Sequence, residues 1–158
     1  MKDKVRILFV CHGNICRSPM AEFVFKSLAS KTGLADMFYV ESSAVSSEEI
    51  GNPVYPPVKR LLSANGISCE GKYAKKMTAD DYANYDFLIG MDIDNIRRMN
   101  RICGGDPQGK IRLLKSFIGQ PNGEVADPWY SGDFTATWND VNAGCNAILD
   151  AYKSGELK

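Results

Sequence analysis

The chain has 158 residues, 44% of them apolar, with 19 Lys and Arg balanced by 19 Asp and Glu. That length and composition predict a single soluble globular domain over residues 1–158, long enough for a core of its own. A formal charge of zero gives no global attraction to nucleic acid or to an anionic membrane, so an anionic ligand has to be drawn by a local site.

Val5-Arg6-Ile7-Leu8-Phe9-Val10 is an almost unbroken apolar run, the pattern of a central parallel strand covered on both faces. A helix is predicted over 18–31, with Ser18 as N-cap and Pro19 at its first position. In it Glu22 supplies first-turn negative charge, Met20, Phe23, Val24 and Leu28 form the apolar face, and Gly33 marks the end. Residues 38–45 read as a second strand. A polar loop through Ser46, Ser47, Gly51, Asn52 and Pro53 leads to a helix over about 57–64, stopped by Asn65-Gly66. A helix start falls at 78–81, a third strand at 85–91, and a helix with basic residues in its last turn at 92–101. Residues 110–117 read as a fourth strand and about 133–152 as the last helix. This alternation predicts an open parallel α/β sheet with helices on both faces and right-handed crossovers.

No apolar run approaches the roughly 20 residues of a spanning helix, and residues 7–11 are too few for a signal peptide and lack a small-residue cleavage site. Five cysteines at irregular spacing do not suggest a disulfide framework, and a reducing, cytoplasmic setting is expected.

The informative segment is Cys11-His12-Gly13-Asn14-Ile15-Cys16-Arg17-Ser18. It lies between the first strand and the first helix, at the carboxyl edge where open α/β sheets bind ligands. Residues 12–17 can curl with their amides inward at the positive end of the helix. Gly13 permits the tight curl, and Asn14 tolerates a left-handed backbone. The planar fork of Arg17 suits two oxygens of a phosphate at once, which Lys could not match. The same field is expected to hold the Cys11 thiol ionised, and the Ser18 hydroxyl is placed to hydrogen bond to that sulfur. These are the parts for attack on a phosphate monoester through a cysteinyl-phosphate. The Cys-to-Arg spacing alone is weak. Strand before, helix after, Gly and Asn inside and Ser-Pro behind make it specific.

With Asp127-Pro128-Trp129-Tyr130 late in the chain, the sequence resembles the low-molecular-weight protein tyrosine phosphatases, whose signature pairs Cys-x5-Arg-Ser with an Asp-Pro-aromatic. Ile50-Gly51-Asn52-Pro53 and Met91-Asp92-Ile93-Asp94-Asn95 are weaker echoes. The resemblance spans almost the whole chain. It implies a four-stranded parallel sheet in a modified doubly wound, phosphotyrosine phosphatase I-like fold, with no metal or organic cofactor. It also implies phosphotyrosine-containing proteins or peptides and phosphate ion as partners, rather than nucleic acid or membrane. Asp127 becomes the acid that protonates the leaving phenol and then the base that activates water, a role an aryl oxide leaving group requires. Asp106-Pro107, without aromatics, reads as a plain turn.

By the same resemblance Trp129 and Tyr130 form one wall of a slot for a flat ring, with Ile15 on the other. Related arginine phosphatases carry Thr at that position, so Ile15 favours phosphotyrosine. Glu48 stands where many members have a substrate-choosing aromatic, and Lys72 nearest to where many have a His that braces the loop Asn; Ser42 is expected to support Asn14 still.

His12, the one histidine, is expected at the rim rather than in catalysis. A metal site on Cys11, His12 and Cys16 lacks a fourth ligand. Cys16 is a candidate for a reversible disulfide with Cys11. Asp92 is expected to orient Arg17 or cap the following helix, and Lys72, Lys75 and Lys76 to form a solvated face. Rival readings are a protein arginine phosphatase, a thiol-dependent arsenate reductase (which needs two further cysteines close together, unlike Cys69 and Cys103) and a non-catalytic phosphate-binding module.

Overall fold

A computed structural model describes residues 4–157. Four strands, β1 (Val5–Cys11), β2 (Phe38–Ala44), β3 (Phe87–Gly90) and β4 (Ile111–Leu113), pair in parallel in the order β2-β1-β3-β4. Around them lie α1 (Arg17–Lys31), α2 (Pro56–Ala64), α3 (Asp81–Asn84), α4 (Ile93–Cys103), α5 (Pro128–Ser131) and α6 (Phe134–Lys153). The expected α/β sheet with helices on both faces is what forms.

Strand β1 shows why. Its side chains alternate across the sheet: Ile7 and Phe9 join a cluster with α1 and α6 through Met20, Phe25, Cys145 and Ile148. Leu8 and Val10 join the opposite cluster with Met99 of α4 and Leu88. All four β1 residues are fully buried, at about 1.5–3 kcal/mol each for removing such side chains from water. Where α6 crosses the turn after β4, a Cβ on Gly144 would lie 2.4 Å from Leu114 Cγ. Only glycine allows that approach.

The strand order places the site. β1 sits between β2 and β3, so the chain leaves β1 toward one partner and β3 toward the other, opening a crevice at their carboxyl ends. The loop after Cys11 and the turn after Gly90 both empty into it.

Several boundaries differ from expectation. Helix α1 begins at Arg17, with Cys16 as N-cap and no side-chain cap. Ser18 is therefore inside the first turn, its hydroxyl turned toward Cys11 instead of capping. Glu22 lies beyond the first turn as a buried, 4% exposed carboxylate. Phe23 and Leu28 are only partly buried, whereas Ala21, Phe25 and Ala29 carry the core face with Met20 and Val24. The fourth strand stops at Leu113 because residues Leu114–Ile118 tighten into a 3₁₀ turn. Lys72 is not solvated: its ammonium donates to the Ser42 carbonyl at 2.7 Å and lies 3.4 Å from Glu22. Burial lowers its pKa, against the opposing pull of Glu22.

Candidate active site

Strand β1 delivers Cys11, 3% exposed, to the floor of a cavity of about 120 Å³. Gly13, Ile15, Cys16 and Arg17 line it from the loop, and Glu48, Asp127, Trp129 and Tyr130 from other segments. The Asn14 amide donates to Cys11 Sγ at 3.3 Å, and Ser18 Oγ lies 3.0 Å from the same sulfur.

Asn14 keeps the loop in shape. Its φ of 59° is the only positive value at a non-glycine among the described residues, and it is 1% exposed. A left-handed asparagine costs of order 1–2 kcal/mol, so other bonds must hold it. Its Nδ2 donates to Ser18 Oγ at 2.8 Å and Ser42 Oγ at 2.9 Å, while its Oδ1 accepts the Lys75 amide at 3.1 Å. Ser42 in turn donates to Glu22 Oε1 at 2.5 Å, and Glu22 pairs with Lys26 at 2.6 Å. At about 1 kcal/mol net per buried hydrogen bond, this network outweighs the backbone strain. The expected support of Asn14 by Ser42 is thus present. Lys72 does not contact Asn14; it reaches the network one step back, through Ser42 and Glu22.

Arg17, 2% exposed, is held from behind. Its Nη1 donates to Asp92 Oδ2 at 2.7 Å and to the Val125 carbonyl at 3.1 Å, and its Nη2 to Asp127 Oδ2 at 3.4 Å. Burial by itself would lower its pKa, but Cys11, Asp92 and Asp127 outweigh that and raise it. The guanidinium is therefore fixed and charged before any ligand arrives, so little side-chain entropy remains to be lost on binding. Asp92 performs both expected tasks: it also caps α4, accepting the Asn95 amide at 2.7 Å in a reciprocal capping box. Asp127 caps the single turn α5 through the Trp129 amide at 3.1 Å, with Pro128 at the first helical position. The Asp-Pro pair thus anchors the carboxylate at the mouth. Asp106 does organise a turn, accepting from the Lys110 and Ile111 amides and the Tyr82 hydroxyl.

Trp129 packs on Tyr55 at a centroid separation of 4.8 Å yet remains half-exposed, and Tyr130 is 85% exposed. His12 sits at the rim, its Nε2 3.4 Å from Glu48 Oε2. Cys16 is buried, and burial first, then the neighbouring Cys11, pushes its thiol up to about 12. Sequence reasoning missed the Val125 carbonyl, Tyr55 and Glu49, another lining residue. A main-chain acceptor leaves no side-chain signal, and Glu49 looks like any surface glutamate.

A buried thiol and a fixed arginine fork at a strand-to-helix loop, facing a capped aspartate, define the class of cysteine-dependent phosphatases. The sequence model of the family described as low molecular weight phosphotyrosine protein phosphatase matches residues 6–156. The chain belongs to that family and is a phosphoric monoester hydrolase. It is 34% identical over 146 residues to the low molecular weight protein-tyrosine-phosphatase YfkJ of Bacillus subtilis, covering 92% of this chain and 94% of the relative. The crystal structure of YfkJ superposes with a TM-score of 0.93, covering 98% of each chain. The pig low molecular weight phosphotyrosine protein phosphatase is 36% identical over 151 residues, 93% of this chain and 95% of the relative. The Drosophila arginine phosphatase structure is 30% identical with a TM-score of 0.84, covering 93% of this chain and 97% of that one.

Proposed function

We propose that the protein hydrolyses phosphotyrosine in proteins or peptides, and small aryl phosphates, with residues 1–158 acting as one catalytic domain. The observation that carries this reading is the convergence of Cys11 Sγ, the pre-paired Arg17 fork and the Asp127 carboxylate on one cavity. In the first step the Cys11 thiolate attacks phosphorus. An S–P bond forms, the P–O bond to the phenol breaks, and Asp127 gives its proton to the departing oxygen. Arg17 and the loop amides stabilise the charge on the equatorial oxygens. In the second step Asp127 takes a proton from water, which attacks phosphorus. The S–P bond breaks, phosphate leaves, and a hydrogen bond from Ser18 steadies the returning thiolate. Ile15, Trp129 and Tyr130 suit a flat aryl ring. Balanced charge supports neither nucleic acid nor membrane as a partner, and a thiolate nucleophile suits the reducing cytoplasm.

The test is multiple turnover of p-nitrophenyl phosphate and a phosphotyrosyl peptide, compared with a phosphoarginyl peptide and with arsenate plus thiol. Phosphotyrosine should be preferred. Faster phosphoarginine hydrolysis would move the chain to the arginine phosphatases, thiol-dependent arsenate reduction to the reductases, and a single stoichiometric burst to a phosphate carrier.

The reading extends to Cys16. Peroxide would oxidise Cys11 to the sulfenic acid, which the Cys16 thiol condenses with, losing water and forming a disulfide; external thiol would then reduce it. After mild peroxide and then thiol, the parent should regain most of its activity and Cys16→Ser markedly less. Equal recovery would remove Cys16 from this role.

A further inference from the structure

Glu48 and Glu49 line the mouth of the Cys11 cavity, and among the described residues no lysine does. The one arginine there, Arg17, is already engaged by Asp92 and Asp127. Glu48 is 72% exposed at its side chain, and among the described residues its only ion-pair partner is His12. Glu49 is held by Asn52, whose Nδ2 donates to its carboxylate, and it lies over Gly13, where an added Cβ would come within 3.2 Å of its Cγ. Its charge reaches into the pocket, where it adds to the burial that raises the Cys16 thiol. The exposed rings of Trp129 and Tyr130 line the same cavity.

A phosphate dianion entering here meets a lining that carries two carboxylates and two aromatic side chains. The carboxylates repel it, and a cation next to the phosphotyrosine relieves that repulsion by pairing with them. An arginine can also stack on the rings. An acidic neighbour adds like charge to like. We propose that the protein selects phosphotyrosine flanked by Lys or Arg, with Glu48 and Glu49 as the specificity-determining carboxylates. This rests on the phosphatase reading above.

The experiment measures kcat/KM for three phosphotyrosyl peptides of one length, with Arg, Gln or Glu on both sides of the phosphotyrosine. The wild-type protein should prefer Arg over Gln by about 5–10-fold and Gln over Glu by a similar factor, as expected of exposed charge pairs. Glu48→Gln with Glu49→Gln should bring the Arg-to-Gln ratio near 2, Glu48→Lys should push it below 1, and 1 M salt should flatten it in the wild type as the screening length falls to about 3 Å. Steady turnover of all three peptides at equal kcat/KM would overturn the proposal and leave the phosphatase reading standing. No turnover of any of them would overturn both.

Discussion

Cys11→Ser lowers kcat on aryl phosphates by roughly 10⁴-fold or more, while inorganic phosphate still binds. A serine hydroxyl in this position has no adjacent base: the groups within reach of Sγ are the Ser18 hydroxyl and the donating Asn14 amide, and neither can take up its proton as a general base. The phosphate cradle survives, because Arg17 is fixed by Asp92, Asp127 and the Val125 carbonyl and not by the sulfur. Calorimetry should therefore give a phosphate Kd close to that of the parent. Turnover within tenfold of the parent would reject Cys11 as nucleophile. Loss of phosphate binding with the fold intact would mean that the sulfur organises the loop.

Asp127→Ala lowers kcat by about 10²–10⁴-fold, more for poor leaving groups than for p-nitrophenol, with KM changed far less. Two effects compete. Removal of the acid leaves an aryl oxide to depart unprotonated. Removal of a carboxylate 3.4 Å from Arg17 Nη2 frees part of the guanidinium for phosphate, by about 1 kcal/mol or less for a partly exposed pair. The first effect dominates kcat, and the second shows only as a lowered KM. Equal losses for good and poor leaving groups would assign the proton to another group.

Much of this was legible in the linear chain because it depends on local rules. An unbroken apolar run between turn signals predicts a strand buried on both faces, as β1 is. Asp before Pro predicts the capped turn that anchors Asp127. Cys11, Arg17 and Ser18 lie within eight residues of one another, at a strand end and the helix start that follows it, so their nearness follows from chain length alone. The misreadings occurred where tertiary demands override local preference. Ser18 has the chemistry of an N-cap, but its oxygen is taken up by an asparagine side chain and a sulfur, and the N-cap falls two residues earlier, at Cys16. Glu22 and Lys72 look like surface charges, yet they meet under the loop, across 50 residues of sequence, because the segment after α2 folds back beside β2.

The amino-acid sequence by itself determined the phosphate loop, the strand that carries it, the helix behind it and the aspartate before the aromatic pair, since each is signalled by residue types within a short stretch of chain. Only the tertiary structure decided that Asp92 and the Val125 carbonyl grip Arg17, that Glu22, Ser42 and Lys72 sustain the strained Asn14, and that two glutamates flank the mouth. These pairings join residues far apart in sequence. They are settled by the order in which the strands pack, and no local pattern of residue types encodes that order.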